Sequence, residues 1–235
     1  MAGKIRITEK FKTIQGEGPL LGRPSYFIRV WGCNLHCSWC DSKHSWEFGM
    51  KEAKLETVDS LVEDILRLYD ETNIRNIVFT GGEPMLFKDK IAEVIGKVND
   101  SLPGILIPMN FTIESNGEII PENDEFFMSN VLFSLSPKAP SADAGSTFNV
   151  NTTQEWVERG PAFYLKFVLD KEEDKEFIES VSGPVVKELV FVMPEGLTTQ
   201  EVLSKSDAVV EYCISKGFTF TPREHINIWN DEKKK

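Results

Sequence analysis

Short runs of β-branched and aromatic residues alternate along this 235-residue chain with stretches whose apolar residues recur at helical spacing. That alternation favours an α/β fold with a mostly parallel sheet covered by helices. Residues 26–32 (YFIRVWG), 75–80 (RNIVFT), 104–115 (GILIPMNFTIES), 131–136 (VLFSLS), 162–170 (AFYLKFVLD) and 187–194 (KELVFVMP) read as strands. Between them, residues 57–71 offer Thr57 as a helix cap and set Val58, Leu61, Val62, Ile65 and Leu66 on one side. Residues 88–100, 171–182 and 198–216 read as further helices, the last two with acids near their starts, where the helix dipole favours negative charge. The expected architecture is a partial (β/α) barrel, one domain over residues 1–230, with its site at the C-terminal ends of the strands. A solvated or disordered tail is expected at 231–235.

Lys and Arg total 26 against 37 Asp and Glu, a formal charge of -11. Such a surface is not built to track a phosphate backbone, so nucleic acid is not expected as a direct partner. No apolar run approaches the length of a membrane span, and the start MAGKIRITEK lacks the apolar core of a secretory signal, so a cytoplasmic location is expected. Of the four cysteines, Cys33, Cys37 and Cys40 fall within one short loop and Cys213 lies far away. That layout is poor for disulfides and natural for a metal site.

The loop WGCNLHCSWCD (31–41) follows directly on an apolar strand, and its three thiols can converge on one inorganic centre. Zinc asks for four closed ligands, and no second pair of cysteines or histidines completes such a set. A [4Fe-4S] cube held by three thiolates keeps one iron open for an exogenous ligand, which implies chemistry. His36 and His44 are conceivable competing ligands, whereas Cys213 sits in a helical pattern and reads as a small buried hydrophobe. A non-catalytic iron-sulfur or zinc module remains the alternative from another class.

The spacing of the three cysteines, with Trp39 before the last, resembles the signature of the radical S-adenosylmethionine (SAM) superfamily. The resemblance implies that SAM chelates the open iron and is cleaved reductively to methionine and a 5′-deoxyadenosyl radical. It places Ser38, Trp39 and Cys40 beside the cofactor. FTGGEP (79–84) is similar to the superfamily's GGEP motif, so Gly82 and Glu83 inherit contact with the methionine amino group. Glu114, Ser115 and Asn116 end one strand, and Ser136, Pro137 and Lys138 follow the next; polar groups there fit a SAM cradle.

Four further segments narrow the family. KTIQGEGPLLGRPSYFIRVWGC, CSWCDS, SLSPKAPS (134–141) and PREHINIW (222–229) together resemble the 7-carboxy-7-deazaguanine synthases of queuosine and deazapurine biosynthesis. That family converts 6-carboxy-5,6,7,8-tetrahydropterin to 7-carboxy-7-deazaguanine by a ring contraction that expels ammonia, regenerates SAM and is assisted by Mg²⁺. The resemblance also implies a homodimer and an electron donor such as flavodoxin or ferredoxin. A glycyl-radical-enzyme activase, which shares the cysteine spacing, is the alternative within the superfamily.

Gln15 and Glu17 carry the amide and carboxylate needed to meet the donor and acceptor edge of a 2-amino-4-oxo-pyrimidine ring. Arg29 lies in an otherwise apolar and aromatic strand, where a guanidinium needs a carboxylate from the protein or the substrate. By resemblance, Ile14, Gly16, Thr80 and His225 also contact substrate, with Glu17, Arg29 and His225 as the catalytic candidates. Ser42 occupies the place where many family members carry threonine as the Mg²⁺ ligand, and its hydroxyl oxygen is equivalent. Lys166, inside AFYLKFVLD, is an inward-facing charge with no partner legible from sequence.

Overall fold

A computed structural model describes residues 4–47, 53–104, 107–230 and 232. Among the described residues nine strands form one open sheet: β1 (Lys4–Ile14), β2 (Pro24–Val30), β3 (Lys54–Thr57), β4 (Asn76–Gly81), β5 (Asn110–Ser115), β6 (Val131–Leu135), β7 (Phe163–Leu169), β8 (Val190–Pro194) and β9 (Thr219–Phe220). Their order across the sheet is β3-β1-β2-β4-β5-β6-β7-β8-β9. β1 pairs antiparallel with β2 and β3, and every neighbouring pair from β2 to β9 is parallel. The sheet is therefore mostly parallel and does not close, in keeping with the partial barrel expected.

The helices are α1 (Val58–Thr72), α2 (Lys88–Ser101), α3 (Val150–Arg159), α4 (Asp174–Ser182), α5 (Thr199–Lys216) and α6 (Glu224–Trp229). Thr57 caps α1 by accepting a hydrogen bond from the Ser60 amide at 3.1 Å. The α1 face buries Val58, Leu61, Val62 and Ile65 as patterned, and Leu68, three residues on from Ile65, is buried while Leu66 is only partly so. Cys213 of α5 is buried in the same core, a packing role. Among the described residues no helix is long and apolar enough to cross a membrane.

Several elements depart from the sequence pattern, and α3, α6, β3 and β9 are not read from it. The strand read over 104–115 begins only at Asn110; 105 and 106 lie outside the described residues, and Ile107 is exposed. The run 187–194 opens with a 3-10 turn (Lys187–Leu189) before β8. Strand β1 is masked in sequence by its charges: Ile5 and Ile7 face the core, but a register shift between Ile7 and Glu9 breaks the alternation. Of the tail read at 231–235, Glu232 is described, its amide donating to the Trp229 carbonyl at 3.2 Å; the rest lies outside the described residues.

Candidate active site

A cavity of about 250 Å³ opens where the parallel strands end. Register explains much of its lining. Arg29 of β2 stands beside Thr80 of β4, and Thr80 Oγ1 donates to Glu114 Oε2 of β5 at 2.7 Å. The other Glu114 oxygen accepts from Gln15 Nε2 at 3.1 Å, and Gln15 Oε1 accepts from the Gly16 amide at 2.8 Å. Residues in register on neighbouring strands thus present a row of polar groups to one space. Ile14, Gly16, Ser115, Asn116, Ser136 and Lys138 also line it.

Glu17 is the electrostatic centre. Lys166 Nζ donates to its Oε2 at 2.7 Å and Arg223 Nε to its Oε1 at 3.1 Å, with His225 Nε2 at 3.9 Å. Lys166, unpartnered on the page of the sequence, therefore faces Glu17. Burial by itself would raise the Glu17 carboxyl, but Lys166, Arg223 and His225 outweigh it and hold the carboxyl down to about 2. A carboxylate offers about four lone-pair sites, so two remain for a ligand. Burial draws the His225 imidazole below its ordinary range, against the opposing pull of Glu17.

Arg29 meets a protein carboxylate: its Nε donates to Glu9 Oε1 at 2.7 Å, its Nη1 to Ser42 Oγ at 3.0 Å, and its guanidinium lies over the Phe11 ring. Burial opposes ionisation of Glu9, but the His44 hydrogen bond and Arg29 hold its carboxyl down to about 2. Ser42 Oγ donates to Asp41 Oδ1 at 3.0 Å.

Cys33, Cys37 and Cys40 all line the cavity. They sit in a small apolar cluster with Leu35 and Ala142, apart from the main core. The Leu35 amide points at Cys33 Sγ at 3.4 Å; the Ser42 amide and Trp46 Nε1 point at Cys40 Sγ at 3.4 and 3.3 Å. Donors aimed at sulfur are what cluster-ligating thiolates need. Among the described residues no three His, Cys, Asp or Glu side chains converge on a single ion. A cube takes its thiolates at separate corners, and three thiols on one loop suit such a cluster.

The loop after β4 lies against the loop after β2 in a way a side chain would forbid. A Cβ on Gly82 would stand 1.9 Å from the Gly32 carbonyl oxygen and 3.0 Å from the Cys33 amide nitrogen. Two residues expected beside the cofactor stand back from the cavity instead. Glu83, 1% exposed, accepts from the Met85 amide at 2.9 Å and the Asn116 amide at 2.8 Å, so it fastens two strand-end loops together. Burial raises its carboxyl, opposed by those two amides. Ser38 turns its amide and hydroxyl to the Ala142 carbonyl, at 2.8 and 3.0 Å. Trp39 and Gly82 do line the cavity, and Lys138 Nζ lies 5.9 Å from the Trp39 ring centroid.

The C-terminal segment closes one side. The Glu224 amide donates to the Gly16 carbonyl at 2.9 Å and the Gly18 amide to Thr221 Oγ1 at 2.7 Å. The His225 ring packs so closely on Gly16 that a Cβ there would be 2.3 Å from Nδ1. Sequence reasoning passed over Arg223, Asp41 and Glu9, and the apolar wall of Phe11, Phe27, Val168 and Met193. Arg223 stands in the quoted PREH segment, but nothing in its neighbours there reveals partners distant in sequence.

Residues 14–154 match a family model described as a 4Fe-4S single cluster domain. A 7-carboxy-7-deazaguanine synthase of Halobacterium salinarum is 31% identical over 97% of this chain and 91% of its own length. One of Aquifex aeolicus is 32% identical over 92% of this chain and 88% of its own. Among solved structures, QueE from Escherichia coli superposes with a TM-score of 0.71 at 22% identity, covering 94% of this chain and 95% of that one. anSMEcpe with bound AdoMet shares the fold more loosely, with a TM-score of 0.53 at 17% identity over 82% of this chain and 61% of that one.

Proposed function

The chain belongs to the 7-carboxy-7-deazaguanine synthase family, and from that premise we propose how its cavity performs the family's reaction. The substrate is 6-carboxy-5,6,7,8-tetrahydropterin, contracted to 7-carboxy-7-deazaguanine with loss of ammonia. Cys33, Cys37 and Cys40 would hold the [4Fe-4S] cluster, three thiolates for four irons. When bound, the cluster and SAM would supply the one-electron chemistry of the reaction.

The protein's share is binding, orientation and exclusion of water. Glu17, kept ionised, accepts from the pyrimidine edge of the pterin while Gln15 completes the donor and acceptor match. Arg29, anchored by Glu9, and His225 meet the substrate carboxylate. Phe11, Phe27, Trp39 and Trp46 wall the space with aromatic surface and limit water. Trp39, Gly82, Ser115, Asn116, Ser136 and Lys138 line the side that cradles SAM, with Ser38 and Glu83 supporting it from behind. Ser42, beside the Asp41 carboxylate, would offer Mg²⁺ a hard oxygen ligand of the kind that ion prefers.

The observation that carries this reading is a buried Glu17, paired with Lys166 and Arg223, in the same cavity as three thiols, two of which have N–H donors aimed at sulfur. A single domain over residues 1–230, a cytoplasmic homodimer and reduction by flavodoxin or ferredoxin complete the proposal. The test is anaerobic incubation of the reconstituted protein with the carboxypterin, SAM and reductant, followed by mass spectrometry. The expected product is 7-carboxy-7-deazaguanine; SAM cleavage with unchanged pterin would overturn the assignment. Ser42→Ala should keep cluster and SAM binding but lose the response of turnover to added Mg²⁺, which Ser42→Thr retains; equal stimulation of wild type and Ser42→Ala would remove Ser42 as ligand.

A further inference from the structure

Arg223 is 5% exposed and spreads its planar fork over three separate segments. Nε donates to Glu17 Oε1 at 3.1 Å in the N-terminal turn, Nη2 to Asp41 Oδ2 at 2.6 Å in the cysteine loop, and Nη1 to the Gly196 carbonyl at 2.6 Å after β8. Asp41 follows Cys40 directly. Its other oxygen accepts from Ser42 Oγ, which accepts from Arg29 Nη1, and Arg29 is held by Glu9. A continuous run of hydrogen bonds therefore joins Glu17 and Arg29, the two charged groups read as holding substrate, and its midpoint is the loop that carries the thiols.

We propose that Arg223 is a positioning residue that fixes Glu17 at a set distance from the cysteine loop through Asp41, so that pterin and cluster share one register. The proposal rests on the pterin reading above. A guanidinium suits this task because its donors are locked in one plane, so two carboxylates bound to it are held at a spacing the fork dictates. A lysine is a point charge on a flexible stem and would neutralise either acid without fixing their separation. Radical chemistry makes that separation matter, since misplacement by about 1 Å costs on the order of a hundredfold in rate.

A merely structural arginine would move stability and iron content; a positioning one moves productive coupling. Arg223→Lys, Asp41→Asn and the double variant are to be compared as reconstituted holoenzymes in three measurements. These are carboxypterin affinity by anaerobic calorimetry, the pterin-induced change in the EPR signal of the reduced, SAM-bound cluster, and the 5′-deoxyadenosine released per product formed. Both single variants should keep wild-type iron content and bind the carboxypterin roughly tenfold or more weakly, as expected for a lost charge-assisted bond. The pterin-induced EPR change should shrink and abortive 5′-deoxyadenosine should rise, with the double variant little worse than the weaker single one. Wild-type affinity and coupling in Arg223→Lys, or losses that simply add in the double variant, would overturn the proposal. If Arg223→Lys loses iron, Asp41→Asn, which leaves Arg223 bonded to Glu17 and Gly196, carries the test; iron loss in both would make the role structural. Wild-type protein that fails to bind the carboxypterin would instead remove the underlying substrate reading.

Discussion

Glu17 joins a buried charge network to the proposed pterin site. Its ordinary value of 4.5 is depressed to about 2 because Lys166, Arg223 and His225 outweigh the cost of burial. A depressed acid contributes stability that is complete above the unfolded value and lost as pH falls through the folded one. Unfolding free energy should therefore drop between about pH 4.5 and 2, and less steeply in Glu17→Gln, as chemical denaturation across that range would show. At pH 7 Glu17→Gln should cost about 3 kcal/mol, since it leaves buried Lys166 and Arg223 undercompensated. The same variant should bind the carboxypterin weakly yet still cleave SAM in a substrate-free assay; loss of SAM cleavage would move Glu17 to the cofactor side. At the thiols, Cys33→Ala, Cys37→Ala or Cys40→Ala should each abolish cluster binding while Cys213→Ala, a core position, leaves iron content near wild type.

Among the elements, the loops that end β2 and β4 depend on two backbones touching. Gly82 does not occupy a left-handed conformation, so its requirement is spatial: an added methyl would overlap the Gly32 carbonyl. Gly82→Ala should keep the far-UV circular dichroism of the fold but push the cysteine loop away from the GGEP turn and lower SAM affinity. Unchanged SAM binding in a cluster-loaded Gly82→Ala protein would show that the loops can part without consequence. The α1 cap makes a contrasting case, because Thr57→Ala removes the bond to the Ser60 amide, and neither residue lines the cavity. It should cost about 1 kcal/mol in denaturation and leave turnover intact.

At the level of the whole molecule, the apolar core and the thiol cluster are separate. The core runs under the sheet through residues such as Ile28, Phe79, Phe133 and Trp156, whereas Leu35, Cys37 and Ala142 form their own small group. Chelating the cluster should therefore loosen the cysteine loop and the 136–146 segment that packs on it without unfolding the sheet. Hydrogen exchange on cluster-loaded and cluster-stripped protein should differ in those segments while β4, β5 and β7 keep their protection. Global loss of protection on stripping would mean that the cluster is part of the folding core.

Sequence determined what depends on neighbours along the chain. Strand and helix alternation, the Thr57 cap, the spacing of three thiols after an apolar strand and the paired glycines of FTGG each follow from a local period or a local steric rule. The polar row of Arg29, Thr80 and Glu114 was foreshadowed by strand-end positions, but which of them touch was not. That Lys166 answers Glu17, that Arg29 answers Glu9, that Arg223 spans Glu17 and Asp41, and that Glu83 and Ser38 stand behind the cavity were decided by the tertiary structure. The physical reason is that a buried charge must find its counter-charge in space. Sheet order and the folding back of the C-terminal segment bring together partners as far apart in sequence as Glu17 and Arg223.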